Sequence, residues 1–199
     1  AQELLESVIV ILKNNPKYKI YPDRIQRPDK KIIFLKEDNP IIIAGRLIQE
    51  DLLILHWDSN FQEHILEGGI LCFPALWTLN EKINKPLSRI HKPVEQYNEK
   101  ITKSVQRMFN NLKVDKPIWR ANWYLYKDPE LFSPLSEKFS HTTEKKYFEG
   151  DFWLRVERQT LKRLPETNAI VFGIHTYVVN KKQLTLKQIT SLKNYSLNK

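Results

Sequence analysis

Apolar residues recur every three or four positions in several parts of the chain, which is the spacing of an amphipathic helix. The pattern predicts an opening helix over residues 4–12, ended at Asn14-Asn15-Pro16, and a short helical stretch over 87–91. The longest pattern predicts a helix of about five turns over residues 94–112. A capping-box sequence at residues 185–188 predicts a short closing helix.

Strands are predicted where apolar residues form short runs or alternate with polar ones. Residues 32–34 and 41–44 are predicted as short strands, and residues 52–56 and 64–73 as a hairpin. Residues 117–126 alternate cleanly, so one face of that strand is predicted to be core and the other polar. The predicted core face consists of Trp119, Ala121, Trp123 and Leu125.

The most informative stretch is 151–179, which is predicted as two antiparallel strands joined by a turn at 164–168. Alternation places Arg155 and Glu157 on one face of the first strand and Arg158 on the other. The second strand is almost wholly apolar, which predicts a hairpin covered on both sides. Buried charge is costly unless it is paired or used, so this segment is predicted to line a site.

Hairpin-linked strands with helices before and between them predict an α+β protein built on an antiparallel sheet. The 199 residues, 41% of them hydrophobic, suit one domain over residues 1–199. The net charge is +9, but the lysines are spread along the chain and are interpreted as solvated turns, so no nucleic-acid partner is expected. No apolar run is long enough to span a bilayer and no signal peptide is recognised, so a cytoplasmic protein without a membrane partner is expected.

Several kinds of site are excluded by the residues that the chain lacks. With five glycines it has neither a GxGxxG nor a GxxxxGK[ST] pattern, which excludes the phosphate cradles of Rossmann and P-loop proteins. The five histidines show no HExxH spacing, and the single Cys72 can form neither an internal disulfide nor a zinc ribbon. Cys72 is interpreted as a buried apolar side chain.

Five local sequence blocks, in the same order along residues 1–180, carry a resemblance to a known family. They are LIQEDL at 47–52, CFPALW at 72–77, IHKPV at 90–94, WRANW at 119–123 and RVERQTLKRLP at 155–165. With these blocks the chain resembles the haem-dependent oxidative N-demethylases, whose haem-binding subunit has a PAS-like fold. The resemblance implies a PAS-like antiparallel sheet with flanking helices.

The resemblance also implies an activity and its cofactors. It implies haem b, oxygen as co-substrate, and oxidative removal of a methyl group from a small secondary amine such as dimethylamine, with release of formaldehyde. Electrons would come from flavin and iron-sulfur partners, and the oligomeric state is left open. Family members carry residues before the first helix and after the last one, and the resemblance leads us to expect an arginine where this chain has His175.

An axial ligand for haem iron must be an imidazole, a thiolate or a phenolate. His91 is the first candidate for this metal ligand because it lies in the IHKPV block, and His175 is the second because its strand lies beside the Arg-Glu-Arg segment. Cys72 is a remote third because apolar neighbours disfavour a thiolate. The alternative for His91 is a histidine that packs or caps a turn, and for His175 a satisfied core histidine.

Other candidates surround the cofactor and the substrate. Arg120, Arg158 and Asn122 are assigned to cofactor binding, because guanidinium groups pair well with carboxylates such as haem propionates. Glu157, Arg155 and Tyr177 are assigned to catalysis: Glu157 as the partner of a protonated amine, Arg155 in the substrate pocket, Tyr177 as a donor to bound oxygen. The alternative is structural: the arginines satisfy Glu157 or Glu50 within the fold, and Tyr177 only packs.

Two other functions stay open at this point. The chain is also compatible with a non-catalytic haem-binding sensor or a degenerate family member, given the His175 difference. The third reading is a basic interaction module whose lysines bind nucleic acid or an acidic protein.

Overall fold

The computed structural model describes residues 1–92, 97–136 and 150–197. The helices within those residues are α1 (Gln2–Lys13), α2 (Pro40–Leu47), α3 (Leu87–Ile90), α4 (Glu99–Asn111) and α5 (Leu186–Leu197). The strands are β1 (Lys19–Ile20), β2 (Arg24–Gln26), β3 (Ile32–Phe34), β4 (Asp51–Asp58), β5 (Glu63–Ile70), β6 (Ile118–Tyr126), β7 (Trp153–Arg163) and β8 (Ile170–Asn180).

Two antiparallel sheets organise these strands. The larger has the order β5-β4-β8-β7-β6, so that the last strand of the chain lies at its centre, and the smaller has the order β1-β2-β3. Helices lie before, between and after the strands, which confirms the predicted α+β class. The PAS-like assignment stays a prediction.

The two faces of the larger sheet carry two separate apolar clusters. We call the face of Leu53, Arg155 and Glu157 the front face, and the face of Leu52 and Arg158 the back face. The back cluster joins α1, α2 and the small sheet to β4 and β8. The front cluster joins α3, α4 and the segment before α3 to β4, β5 and β8. Within the described residues, each helix is too short or too polar to cross a lipid bilayer.

The predicted helices at both ends of the chain and at 87–91 are confirmed. In α1 the buried residues are Leu4, Leu5, Val8 and Leu12, the apolar face read from the sequence. At the other end, the Thr185 N–H donates to Gln188 Oε1 at 2.8 Å and the Gln188 N–H to Thr185 Oγ1 at 3.3 Å. These bonds form the predicted capping box ahead of α5.

The predicted strand at 41–44 is wrong, because these residues belong to α2. Asn39 caps that helix by accepting the Ile41 N–H at 3.1 Å, and Pro40 occupies its first turn, where a missing N–H costs nothing. The β-branched isoleucines favour a strand locally, but Ile43, Ala44 and Leu47 are buried at helical spacing. The cap and the tertiary packing therefore outweigh the local propensity.

The predicted helix over 94–112 is shorter than expected at its start. It begins at Glu99, where the Asn98 side chain caps it by accepting the Ile101 N–H at 3.1 Å. Tyr97 lies before the helix, and residues 93–96 lie outside the described residues. Val105, Phe109 and Leu112 pack into the front cluster as predicted, whereas Met108, which was predicted to pack with them, is 39% exposed.

The predicted core face of β6 is wrong. The strand forms as expected, but Trp119 is 70% exposed and Ala121 is exposed as well. The reason is topological: β6 is an edge strand, and α1 and α2 cover the back face over β8 and β4, which lie two and three strands away. Alternation gave the correct faces of this strand but not which elements lie over them.

One contact ties the start of the chain to the turn between β7 and β8. The carboxylate of Glu3, in α1, accepts the N–H groups of Glu166 and Thr167 at 2.7 and 3.0 Å and also the Thr167 hydroxyl. The turn itself is closed by the Leu164 N–H, which donates to the Ala169 carbonyl at 2.9 Å, and Asn168 adopts a left-handed conformation. This contact of α1 thus requires a completed hairpin.

Candidate functional site

Arg155 is a fully buried cation of the front face, at 2% exposure. Its Nε donates to Glu157 at 3.2 Å, its Nη1 donates to the Leu131 carbonyl at 3.2 Å, and its Nη2 donates to Phe73 and Thr176. One guanidinium therefore joins β7 and β8 to two loops that cross the front face. Because a buried cation without partners would be strongly destabilising, these contacts also fix where the loops lie.

Glu157 continues this network toward β6. One of its oxygens accepts Arg155 Nε, and the other accepts the side-chain amide of Gln159 at 3.2 Å. The oxygen of Gln159 in turn accepts Arg120 Nε at 2.8 Å. Glu157 and Gln159 are 7% and 9% exposed, so a row of buried, hydrogen-bonded polar side chains lies on the front face of the sheet. This confirms that β7 holds buried, paired charge.

Asp51, at the start of β4, adds a second buried carboxylate beside Arg155. It is 1% exposed and accepts the N–H groups of Cys72 and Phe73 at 2.6 and 2.8 Å. Burial raises the pKa of Asp51 to about 6, although these bonds and the nearby Arg155 charge favour its ionised form. Burial, and then the Asp51 charge, also raises the pKa of the Cys72 thiol, which disfavours a thiolate there.

His91 follows α3 and has a defined orientation. Its Nδ1 lies 2.9 Å from the Leu87 carbonyl, so Nδ1 carries the proton and Nε2 presents its lone pair. Nε2 has no hydrogen-bond partner among the described residues. Burial lowers the pKa of His91, and the charges of Lys82 and Arg120 act in the same direction, so the ring is neutral near pH 7.

Tyr97 lies directly against the imidazole of His91. The two rings stack with their centres 4.4 Å apart and their planes 16° apart. The Tyr97 hydroxyl is buried without a well-formed hydrogen bond, with Thr102 as a polar neighbour. A buried hydroxyl usually has a partner, so the lack of one within the described part of the chain, on a ring stacked on His91, fits a ligand that completes the site.

A second group of predicted residues lies on the back face. Glu50 is 3.3 Å from Arg158 and 3.7 Å from His175, whose ring lies 4.5 Å from that of Tyr177. The Glu50 carboxylate lies over Gly173, where a Cβ would come within 2.8 Å of Oε2. The pairing of Arg158 with Glu50 matches the structural alternative that the sequence analysis gave for Arg158.

The structure therefore separates the predicted site residues into two groups. The first group, on the front face, consists of Arg155, Glu157 and Arg120, whose charge acts on His91. Asn122 also lies on this face, opposite Glu157, and donates to the Tyr124 hydroxyl at 2.7 Å. The second group, Arg158, His175 and Tyr177, lies on the back face. The strand register places Tyr177 and Glu157 on opposite faces of the sheet, so these two predicted catalytic residues do not meet.

Asp51 and Tyr97 were not chosen from the sequence. Asp51 stood inside the LIQEDL block at the start of an apolar strand, and its strand position was the available signal. Tyr97 was read as one apolar position of a helix, and no sequence signal marked its buried hydroxyl. Both depend on loops that return over the sheet, which periodicity does not describe.

Two open depressions lie away from His91. One, of about 640 Å³, lies at the end of α4 and includes His56, His64 and Arg163 in its lining. Arg163 already donates to the Phe109 and Leu112 carbonyls at 2.6 and 2.8 Å, so it caps α4. The other, of about 510 Å³, lies on the back face beside Trp119 and Arg158.

The comparison with protein families returns one match over most of the chain. The family model described as haem-dependent oxidative N-demethylase, alpha subunit-like, matches residues 10–193. The matched range includes every front-face residue described above.

Proposed function

Because the chain belongs to the haem-dependent oxidative N-demethylase, alpha subunit-like family, we propose that it binds haem and oxidatively demethylates a small secondary amine such as dimethylamine. The observation that carries the proposal is the neutral, oriented imidazole of His91, with Nε2 free and with the charge of Arg120, which donates to Gln159 of the buried network, acting on it. The reaction balances when dimethylamine, oxygen, two electrons and two protons give methylamine, formaldehyde and water.

His91 is the residue that would hold the haem iron, through Nε2. Its Nδ1–H bond to the Leu87 carbonyl fixes both the tautomer and the ring direction, as the outer hydrogen bond of a metal-binding histidine does. Arg120 and Lys82 are the proposed cations for the propionates, since their charges reach His91. When bound, haem b would supply the oxygen and redox chemistry that no side chain provides.

Glu157 is the proposed partner of the protonated amine. Arg155 and Gln159 hold one oxygen each, so the carboxylate is fixed, and its remaining lone pairs are available to an ammonium N–H. Holding the ammonium in this way would orient a methyl group and exclude water from a largely buried site. Arg155 is then a positioning residue, because its own donors are directed to Glu157, Thr176 and two carbonyls.

The remaining parts of the proposal concern the setting of the reaction. Electrons are proposed to come from a flavin and iron-sulfur partner, the protein is proposed to be cytoplasmic, and the larger sheet is proposed to have a PAS-like arrangement. These points are carried over from the family resemblance, while the description of the matching family model itself covers the haem and the oxidative N-demethylation.

Absorption spectroscopy tests the haem proposal. We expect haem to bind in a one-to-one ratio with a Soret band, and His91→Ala to shift that band and weaken haem binding by at least about tenfold. His175→Ala is the matched control, because it removes an imidazole from the back face. Unchanged spectra for His91→Ala, or a change with His175→Ala alone, would overturn the assignment of the ligand.

A second experiment separates catalysis from haem binding alone. Glu157 already has a partner on each oxygen, and this observation favours a purely structural carboxylate in a non-catalytic haem protein. The catalytic proposal predicts formaldehyde release from dimethylamine with a competent reductase, and a rise in KM in Glu157→Gln with the Soret band unchanged. Haem binding without formaldehyde release would select the non-catalytic function instead.

A further inference from the structure

We propose that the outward side of α3 and α4 docks an acidic iron-sulfur protein, which is the electron donor of the proposed reaction. We call this surface the basic face and define it by the exposed cations Lys92, Lys100, Lys103 and Arg107. The inference rests on the proposed function for the identity of the partner. Its support comes from the distribution of charge, from exposure and from the position of His91.

The excess positive charge of the chain is concentrated in one segment, although lysines occur throughout. Residues 82–116 contain nine basic and three acidic residues, a net charge of +6 out of the total of +9. The rest of the chain contains 23 basic and 20 acidic residues. Residues 137–149, which the structure does not describe, hold three of each sign and therefore leave this balance unchanged. Charge of one sign gathered on one segment attracts partners of the opposite sign.

The helices α3 and α4 lie next to each other, so their cations lie on the same side of the molecule. One oxygen of Glu63 accepts the Ser88 N–H, in α3, at 2.9 Å and the Gln106 side-chain amide, in α4, at 3.5 Å. The ring of His91, after α3, stacks on that of Tyr97, before α4. Both helices pack on the front cluster with their apolar residues, so their polar side faces away from the sheet.

The outward side of α4 carries a row of cations. Lys100, Lys103 and Arg107 follow one another at three- and four-residue spacing, which places them on one side of a helix, and all three are exposed. Glu99 is the acidic residue of α4 and pairs with Lys103 at 2.6 Å. The row therefore keeps a net positive charge.

Apolar side chains border this row. Ile101 and Met108, seven residues apart in α4, are 38% and 39% exposed. Protein interfaces combine apolar contact with a polar rim, and methionine and arginine are enriched in them. The basic face thus offers a partner attraction at long range and apolar contact at short range, which a solvated lysine turn does not.

The basic face begins at the residue that would hold the haem iron. Lys92 directly follows His91, and Tyr97, which stacks on His91, lies two residues before α4. The charges of Lys82 and Arg120 act on His91 as well. A carrier bound to the basic face is therefore held next to the proposed site of reduction.

The electron count of the proposed reaction favours a partner that binds briefly. An iron-sulfur cluster of the plant ferredoxin type gives up one electron when it is oxidised, so the two electrons of one turnover require two encounters. Electron-transfer complexes are small and weak, and complementary charge speeds their association. An exposed row of cations fits such a partner.

Calorimetric titration with a plant-type ferredoxin, an acidic iron-sulfur protein, tests the docking. We expect binding that weakens as ionic strength rises from about 0.01 M to about 1 M, because the screening length falls from about 30 Å to about 3 Å. The double variant Lys100→Glu, Arg107→Glu should raise the dissociation constant at least about tenfold at low ionic strength.

The double variant Lys17→Glu, Lys36→Glu is the matched control. It changes the net charge equally, and both lysines are exposed beside the small sheet. The dissociation constant should rise less than about threefold in this control, because only the total charge changes. An acidic residue is favourable in the first turn of a helix, so Lys100→Glu should keep α4 intact, and thermal unfolding of each variant checks the fold.

Soret titration of the same variants separates this inference from the proposed function. Haem binding should be unchanged, because the substitutions leave His91 and its hydrogen bond to Leu87 in place. Absence of a Soret band in the wild type would refute the proposed function, whereas the ferredoxin titration needs no haem and tests the docking in either case.

Three results would each overturn the docking. The first is ferredoxin binding that is absent or does not respond to salt, and the second is an equal loss of affinity in both double variants. The third comes from a DNA duplex titrated in parallel: a loss of affinity for DNA alone in Lys100→Glu, Arg107→Glu would assign the basic face to nucleic acid instead.

Discussion

Asp51→Asn is expected to stabilise the protein near neutral pH and to change how its stability depends on pH. The carboxylate is fully buried, and its two hydrogen bonds come from backbone N–H groups of Cys72 and Phe73. An asparagine oxygen can accept both bonds, so the loop keeps its anchor while the charge is removed. The substitution therefore isolates the cost of holding an ionised group at this position.

The magnitude follows from two pKa values. The pKa of Asp51 is about 6 in the folded protein, against an ordinary value of 3.8. Since the folded state binds the proton more tightly, the wild type loses stability as pH rises from about 3.8 to about 6. A gap of about two pKa units corresponds to about 3 kcal/mol, of which about 2 kcal/mol falls between about pH 4.5 and pH 7.5.

Urea unfolding at several pH values measures this difference directly. The free energy of unfolding of Asp51→Asn minus that of the wild type should rise by about 2 kcal/mol between about pH 4.5 and pH 7.5. Asp128→Asn is the matched control, because Asp128 is exposed yet also accepts a backbone N–H, from Glu130 at 3.0 Å. A difference that stays constant with pH, or falls as pH rises, would refute the reasoning.

Three further predictions concern the two faces of the sheet. Arg155→Met should lower the free energy of urea unfolding by about 3–5 kcal/mol, because it leaves Glu157 without its buried partner. The double variant Arg155→Met, Glu157→Gln should lose less unfolding free energy than Arg155→Met alone, and an additive loss would argue against the pairing. Gly173→Ala should cost about 1 kcal/mol by displacing Glu50, whereas Gly68→Ala, with open space around its Cβ, should cost less in the same assay. Burial lowers the pKa of His91 from 6.5, so haem affinity in Soret titrations should stay constant as pH falls to about 6.5 and decline only below it. A decline that begins above about pH 7 would contradict the assignment of His91 as the ligand.

The sequence predicted the chemistry of β7 well because period-two alternation is a property of the strand itself. Arg155 and Glu157 were placed on one face, opposite to Arg158, and the structure has them so. The pairing of Arg158 with Glu50 was also foreseen as one of two readings. The first prediction rests on alternation within one strand, and the second on the opposite charges of Arg158 and Glu50.

What the sequence did not predict depends on contacts between distant segments. The isoleucines of α2 look like a strand until the Asn39 cap and the packing against α1 are known. Trp119 looks like core because alternation cannot tell whether an element covers that face. The partners of Arg155 include the Phe73 and Leu131 carbonyls, which are far away in the chain and carry no side-chain signal.

The bond network of Glu3 has a consequence for the order of events during synthesis. The carboxylate accepts bonds from residues 163 and 164 positions further along the chain, so this contact of the first helix forms only after the hairpin has been synthesised. At a translation rate of about 5–20 residues per second, that interval is on the order of ten seconds. During this time α1 can already pack on α2, but the part of the back cluster that Leu164, Ala169 and Val171 supply is still missing, so this edge of the nascent core stays open to a chaperone.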